Sequence, residues 1–146
     1  MARSTSASKK KHRAMPSELF TVEAERHRQL VMDVYEKVLK PLDESRVDEF
    51  FRSDYIQHNP MARSGADGLK AFLRWAKSVS PSAEHHVKRM FVDRNYVIAH
   101  VHVVVQPGDL GSAVVDIFRI EDGLIAEHWD VAQQLTRQSQ NENGMF

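Results

Sequence analysis

Cysteine is absent from this chain, and its absence excludes several kinds of chemistry at once. None of the 146 residues is a cysteine, so the chain has no internal disulfide, no thiolate nucleophile and no cysteine-ligated zinc. No apolar run approaches the ~20 residues of a membrane-spanning helix, and no segment has the pattern of a secretory signal. We therefore expect a soluble cytoplasmic protein without a membrane partner.

Net charge is also absent, but the charges are unevenly distributed. The first 13 residues hold five basic side chains and no acidic one, which leaves 15 basic and 20 acidic side chains for the remainder. A mildly acidic body lacks the basic face that nucleic acid binding requires, so we expect no nucleic acid partner. Length and a 42% hydrophobic composition fit a single compact domain. We expect a disordered basic tail over residues 1–18, the domain over 19–136 and a polar tail over 137–146.

The order of the hydrophobic periods predicts helices followed by a sheet. Apolar residues at helical spacing predict three helices, over residues 21–40, after Asp43 or Ser45 with Phe51 turned inward, and around 69–76. Further on the period changes to two, which predicts four strands, over residues 87–92, 96–105, 113–120 and 124–131. Short turns between the strands favour a curved antiparallel sheet with the helices on one side, which is an α+β architecture.

Asp116 places a carboxylate among apolar neighbours in a predicted strand, on the same face as Phe118. A carboxylate in such a position must be paired or hydrogen-bonded, and these conditions also suit a proton-transfer residue. Asp116 is therefore the first candidate for general acid/base catalysis, with a purely structural pair as the alternative. The last strand carries His128 and Asp130 on one face and Trp129 on the other, and alternation does not decide which face points inward.

Two histidines precede Asp116 on one face of the neighbouring predicted strand. A hairpin centred on residue 109 would pair Asp116 with His102, and a shift of the centre by one residue would move the partner to His100 or Val104. An aspartate beside a neutral imidazole is suited to acid/base chemistry. The sequence thus predicts contact between Asp116 and one of these histidines, His102 first.

Other polar residues could reach the same pocket. His58 and Asn59 follow a short extended segment, where they could cover a pocket or hydrogen-bond the adjacent turn. One of His85 and His86 must face the concave side of the sheet, and the sequence does not say which.

A metal site is a further alternative for the histidines. His100 and His102 have the spacing of two ligands on one strand, but they would need His58, His128 or Asp116 as a third. No acidic ligand follows closely after the pair. We therefore expect no metal at this site.

Several segments of the sequence resemble the SnoaL-like polyketide cyclases. They are residues 55–60, 100–102, 107–109, 116–119, 122–123 and 127–131, and the most specific pattern is Asp-Gly-x-Ile-x-Glu-His-Trp, which begins at Asp122. The resemblance spans roughly residues 30–134. It implies the cone-shaped α+β fold shared with nuclear transport factor 2 and ketosteroid isomerase, in which helices pack on a curved, mainly antiparallel sheet.

The resemblance also implies a reaction and roles for individual residues. Cyclases of this group close a ring by intramolecular aldol condensation without a metal or an organic cofactor. Asp116 would exchange a proton with the carbon nucleophile, and His102 would hydrogen-bond or orient the reacting oxygen. The residues expected to bind substrate, together with Asn59 at the neighbouring turn, are Tyr55, His58, His100, Phe118, His128 and Trp129.

These observations predict a cofactor-independent acid/base enzyme that acts on a small carbonyl-containing molecule and forms a homodimer through its sheet. The short loop over residues 106–112 and the 12 aromatic residues favour a small substrate over a large polycyclic one. A dehydratase or isomerase would use the same pocket, with His100 or His58 as a second acid/base. A non-catalytic ligand-binding or dimerisation module would use Asp116 and the histidines only as a structural network.

Overall fold

The structure is a computed structural model that describes residues 16–146, with side chains from residue 21 onward. Most of the predicted basic tail therefore lies outside the described residues. The helices are α1 Pro16–Val34, α2 Val47–Phe50 and α3 Ala66–Val79, with a π-helical turn Tyr35–Leu39 after α1 and a 3₁₀ turn Glu44–Arg46 before α2. The strands are β1 Phe51–Gln57, β2 Glu84–Asp93, β3 Tyr96–Val104, β4 Ser112–Glu121 and β5 Leu124–Gln134. No helix within residues 16–146 has the length and apolar content needed to cross a membrane.

The five strands form one mixed sheet in the order β1-β5-β4-β3-β2. β1 runs parallel to β5, and the other three pairings are antiparallel. The predicted α+β architecture, with helices first and a mainly antiparallel sheet second, is confirmed. β1 is the element that the prediction lacks, because Phe51 has helical spacing to the residues before it. The structure instead ends α2 at Phe50 and extends the backbone at Phe51.

The long N-terminal helical segment lies against the sheet through one apolar stripe. Val31, Val34, Tyr35 and Val38 are fully buried and recur at helical spacing. Each such side chain contributes roughly 1.5–3 kcal/mol by leaving water. Tyr35 opens the π-helical turn, in which the Lys40 amide donates to the Tyr35 carbonyl at 2.9 Å. Single π-helical turns are often found at functional sites.

A two-residue turn sets the start of the β4–β5 pairing. Asp122 and Gly123 both have positive φ angles, 52° and 75°, as a tight turn matched to strand twist requires. A bulge follows between Arg119 and Ile120 of β4 and their partners on β5. Beyond that bulge Phe118 lies opposite His128, and Asp116 lies opposite Asp130.

The β3–β4 register corrects the predicted pairing of Asp116. Ala99 lies opposite Asp116, whereas His102 lies opposite Ala113, so the prediction that Asp116 faces His102 is wrong. The hairpin is centred between residues 107 and 108, not on residue 109. Moving the centre of the hairpin by one and a half residues moves the strand partner of Asp116 by three residues, from His102 to Ala99. Because side chains alternate between faces, a move by an odd number of residues puts the new partner on the other face of the sheet. Asp116 therefore shares its face with Ala99, while His100 and His102 point to the opposite one.

We call the helix-covered face, which carries Ala99, Val101 and Asp116, the inner face, and the opposite one the outer face. Val97, Ala99 and Val101 on β3 are fully buried there against the helices. Phe118 and Ile120 on β4 extend the same core. The hydrophobic core thus lies between the inner face and the helices, and Asp116 lies at its edge.

Candidate active site

A cavity of about 410 Å³ lies between the inner face of the sheet and the helices. This volume is within the range of small-molecule sites. Its apolar wall includes Leu39, Phe51, Leu69, Phe72, Val103, Val114 and Phe118, and its polar wall includes Tyr55, Gln57, Asn59, His85, Asp116, His128 and Asp130. Among the described residues, no lysine or arginine lines it. The cavity therefore combines an apolar body with convergent hydrogen-bonding groups.

Asp116 is the centre of this polar wall. The residue is only 9% exposed, and both of its carboxylate oxygens have partners. The Tyr35 hydroxyl donates to Oδ2 at 2.5 Å, and His128 Nε2 lies 2.9 Å from Oδ1. These partners fix the carboxyl group, and each hydrogen bond to a charged group is worth roughly 1.5–3 kcal/mol.

Tyr35 serves as a permanent hydrogen-bond donor in this arrangement. Burial raises the pKa of its phenol well above the usual value, and the negative charge of Asp116 and their hydrogen bond raise it further. The hydroxyl consequently stays protonated and keeps donating to Asp116. Tyr35 belongs to the apolar stripe of the N-terminal helical segment, so no pattern in the sequence indicates that its hydroxyl contacts a carboxylate.

Gln57 determines which nitrogen of His128 carries a proton. Its side-chain oxygen lies 2.9 Å from His128 Nδ1 and also accepts from the backbone amide of Asn59 at 3.0 Å. Because a backbone amide can only donate, the amide atom facing His128 is the oxygen, and Nδ1 must be protonated to donate to it. One further proton is then shared between Nε2 and the Asp116 carboxylate. The pair is poised for proton transfer at this position.

Asp130 brings a second carboxylate to the same wall. It lies directly opposite Asp116 on the neighbouring strand, an arrangement that is unfavourable for like charges. Asn59 compensates by donating from Nδ2 to Asp130 Oδ2 at 2.5 Å, while its side-chain oxygen Oδ1 accepts from the Met61 backbone amide at 2.8 Å. Asn59 therefore stabilises the turn and also lines the cavity. Its position in the sequence had indicated these two roles as alternatives.

Asp116, His128 and Asp130 form the one group of three metal-ligating side chains found within the described residues, and their ligand atoms lie within 4.8 Å of one another. Oxygen and imidazole ligands suit a divalent cation. However, both Asp116 oxygens and both His128 nitrogens already take part in protein hydrogen bonds. A cation here would have to replace the Asp116–His128 hydrogen bond. The alternative set of His100 and His102 with Asp116 or His128 is not assembled, because the two pairs lie on opposite faces.

The structure divides the residues singled out in the sequence between two faces. Those that line the cavity are Asp116, Phe118, His128, Tyr55 and Asn59. The Phe118 and His128 rings lie 4.9 Å apart. Tyr55 is only 1% exposed, and burial raises the pKa of its phenol, with smaller contributions from Asp116 and Asp130. Its hydroxyl is therefore a second protonated donor at the cavity wall.

The remaining four residues from that set lie on the outer face. His58 stacks on Trp129 with ring centroids 4.7 Å apart, and its Nε2 contacts Glu127 at 2.8 Å. The rings of His100 and His102 lie 5.2 and 4.8 Å from the ring of Phe146.

His102 in particular has a local partner on the outer face. Its Nε2 donates to the Leu110 carbonyl at 2.8 Å. Gly111 lets the chain pass closely enough for this bond, since a Cβ at that position would lie 2.9 Å from the same nitrogen. His102 thus contributes to the β3–β4 hairpin, away from Asp116.

Four polar residues of the site were not among the predicted site residues: Gln57, His85 and Asp130, which line the cavity, and Tyr35, which is buried behind it and holds Asp116. Asp130 and His85 each carried a usable signal, because Asp130 shares a strand face with His128 and one of His85 and His86 had to face inward. Gln57 and Tyr35 carried none, since their roles depend on contacts between elements distant in sequence.

Comparison with known proteins identifies the family of this chain and agrees with its fold. The sequence model of the SnoaL-like polyketide cyclase family matches residues 29–141. This chain belongs to that family. The resemblance read from the sequence is thus confirmed, and so is the cone-shaped fold of nuclear transport factor 2-like proteins. No curated protein sequence matches this SnoaL-like chain.

Solved structures similar to this SnoaL-like chain share its fold at low sequence identity. TsrD from Streptomyces laurentii is 21% identical with a TM-score of 0.59, over 76% of this chain and 88% of that one. A protein from Bacillus cereus provisionally assigned as a polyketide cyclase is 17% identical with a TM-score of 0.62, over 82% and 78%. IdmH from Streptomyces antibioticus, also provisionally assigned as a polyketide cyclase, is 15% identical with a TM-score of 0.62, over 73% and 91%. Identities this low extend the fold to this chain and nothing more specific.

Proposed function

We propose that this SnoaL-like protein is an acid/base enzyme that acts on a small carbonyl-containing substrate, with Asp116 and His128 as its proton-transfer pair. The observation that carries the proposal is the buried Asp116–His128 contact at 2.9 Å in the wall of a ligand-sized cavity. His128 takes the place that the sequence reading had given to His102.

The proposed reaction is an intramolecular aldol condensation. The Asp116–His128 pair removes a proton from the carbon next to a carbonyl group, which leaves an enolate. The enolate carbon attacks a second carbonyl carbon of the same molecule, so that a carbon–carbon bond forms and the attacked oxygen gains the electron pair of its C=O bond. The proton held by the pair then returns to that oxygen, and atoms and charge balance without a cofactor.

The hydrogen bonds around the pair support this role. Tyr35 holds one carboxylate oxygen and Gln57 holds the far nitrogen of His128, so the pair is oriented before substrate arrives. Fixed donors and acceptors of this kind lower the barrier because they need not reorganise during reaction. Asp116, His128 and their supports are complete without a metal, and we propose a cofactor-independent enzyme.

Exchange of substrate protons with solvent provides the test. Small ketones incubated with the protein in deuterated water should gain deuterium next to the carbonyl group, as measured by nuclear magnetic resonance. Asp116→Asn keeps the side-chain volume and should slow this exchange by roughly 10²–10⁴-fold, the usual range for a general acid/base. His86→Phe, a change on the outer face, is the control and should leave the rate unchanged. Chelation of divalent metals should also have no effect.

Each other outcome points to a different function. Exchange without ring closure would indicate an isomerase or dehydratase that uses the same pair. No exchange with any ketone would favour a binding or dimerisation module. Rapid exchange by Asp116→Asn would refute the role of Asp116 directly.

The outer face supports the expected homodimer as part of this proposal. Phe91 and Val131 are 60% and 68% exposed there, and the stacked His58 and Trp129 rings lie on the same face. Exposed apolar and aromatic side chains on one sheet face are typical of association surfaces. A second copy packed on this face would leave the cavity, which opens on the inner side, accessible to substrate.

A further inference from the structure

His85 is a polar side chain in the cavity wall that the proposed proton-transfer pair does not use. It lies on β2 and lines the cavity together with Asp116. Within residues 21–146, its ring makes no hydrogen bond, and its Nδ1 atom is completely enclosed. A buried polar atom without a partner is rare in proteins and points to a function for the group.

The enclosure of Nδ1 determines how the ring can act. Burial lowers the pKa of His85, and the nearby positive charges of Lys40 and His86 lower it further, against an opposing effect of Asp116. The neutral ring carries a single proton. A protonated Nδ1 would be an enclosed donor without an acceptor, which is more unfavourable than an enclosed lone pair. The proton is therefore best placed on Nε2, which makes that atom a hydrogen-bond donor.

The sheet register separates His85 from Asp116 by a patch of apolar wall. His85 lies opposite Val103 of β3, and Val103 lies opposite Ser112 of β4, four residues before Asp116. Two strand spacings and four residues correspond to roughly 16 Å between their Cα atoms. Val103 and Val114 line the wall between them. A ligand that touches both polar groups must span this apolar patch.

From this placement we infer that His85 is a substrate-binding residue, which donates a hydrogen bond from Nε2 to an oxygen of an uncharged, apolar carbonyl compound held against Asp116. The role of His85 as a substrate-binding residue rests on the proposed function. The acidic groups Asp116 and Asp130 and the absence of a described lysine or arginine from the wall disfavour an anionic ligand, and the apolar wall between His85 and Asp116 favours an uncharged one. A neutral imidazole is a suitable donor for a carbonyl oxygen because it adds no charge to the site.

Four ligands with one bicyclic skeleton test this inference: 1-tetralone, tetralin, tetralin-1-carboxylate and protonated 1-aminotetralin. Affinities measured by calorimetry should rank the ketone above the hydrocarbon by about fivefold, the effect of one net hydrogen bond. His85→Phe should reduce the affinity for 1-tetralone about fivefold and leave that for tetralin unchanged. His86→Phe, the neighbouring histidine on the outer face, is the matched control and should keep the ketone preference. His85→Gln retains a donor and should restore part of it.

Several results would overturn the inference. They are a wild-type protein without a preference for the ketone, a ketone preference that survives in His85→Phe, and stronger binding of the carboxylate or the amine. If His85→Phe does not fold, a measurement on the wild-type protein still tests the role of His85. The His85 ring nitrogens must shift in the nuclear magnetic resonance spectrum with 1-tetralone and not with tetralin, and the absence of that difference refutes the role.

Binding and proton exchange separate this inference from the proposed function. Asp116→Asn should bind 1-tetralone about as well as the wild type while losing exchange. His85-dependent binding without any exchange in the wild type would reject the catalytic proposal and keep His85 as a ligand-binding residue. Proton exchange that requires Asp116 but is unchanged in His85→Phe would keep the catalytic proposal and reject the binding role of His85.

Discussion

The buried hydrogen bond between Tyr35 and Asp116 gives the most direct quantitative test of the site. Tyr35→Phe removes one hydroxyl group and keeps the ring that packs edge-on against Phe118 at 6.1 Å. Tyr35 is completely buried, so water cannot readily replace the lost donor. A hydrogen bond to a charged group contributes roughly 1.5–3 kcal/mol, and we expect Tyr35→Phe to lower the free energy of unfolding by about 2 kcal/mol. For a domain of this size that corresponds to roughly 4–8 °C in Tm.

A double-mutant cycle separates this bond from other effects of the tyrosine. In an Asp116→Leu background the Tyr35 hydroxyl has lost its acceptor and is an unsatisfied buried group. Tyr35→Phe should then be neutral or stabilising by about 1 kcal/mol. The difference between the two backgrounds gives a coupling energy of about 2–3 kcal/mol, at the upper end for residues in contact. Urea unfolding of the four proteins, followed by circular dichroism, measures it.

Tyr55→Phe is the matched control for this cycle. Tyr55 is almost as buried, at 1% exposed, but its hydroxyl has no hydrogen-bond partner among residues 21–146. The same chemical change there should alter the free energy of unfolding by less than about 0.5 kcal/mol. A coupling energy near zero between Tyr35 and Asp116, or an equal loss from both tyrosines, would show that the hydroxyl does not hold the carboxylate.

Two further predictions concern the neighbours of the pair and the outer face. Gln57→Leu should slow ketone proton exchange about tenfold by removing the acceptor that holds His128, whereas Gln57→Glu should retain more activity; equal rates for the two variants would contradict the positioning role. For Glu127, burial would raise the pKa, but hydrogen bonds from His58 and Arg119 lower it below the usual 4.5. A carboxyl group whose pKa is lower in the folded state than in the unfolded state stabilises the fold at pH values above its unfolded-state pKa, and this stabilisation is lost in acid. The stability difference between wild type and Glu127→Gln should therefore be complete above pH 4.5 and disappear as the pH falls below it, which urea titrations across this range would measure.

The sequence predicted the architecture of this domain better than its site, for a physical reason. Helical and strand periodicities are patterns among residues that are neighbours in sequence. The long first helix, α3 and four of the five strands could therefore be placed approximately from the sequence. The short strand β1 owes its extended form to pairing with β5, which no local pattern records. The register of β3 against β4 depends on the path of the loop between them. An error of one and a half residues in its centre was enough to place His102 beside Asp116 instead of on the opposite face.

A single extra residue in β5 decides which of its faces lines the cavity. Next to the turn, Glu121 lies opposite Leu124 and Ile120 opposite Ile125. Continued without interruption, this pairing would set Phe118 opposite Glu127, and the odd-numbered residues of β5 would face inward. Ala126 is the extra residue of the bulge, and beyond it Phe118 lies opposite His128.

This bulge explains why alternation could not choose between the two faces of the last strand. Since the side-chain period is two, an insertion of one residue exchanges the faces of everything that follows. If Ala126 were instead paired in regular register with Arg119, Glu127 and Trp129 would point at the cavity, and His128 and Asp130 would point away from it. Ile125 and Ala126, adjacent in sequence and both buried, mark the place where the alternation changes. The contact between Asp116 and His128 therefore depends on this bulge as much as on the two residues themselves.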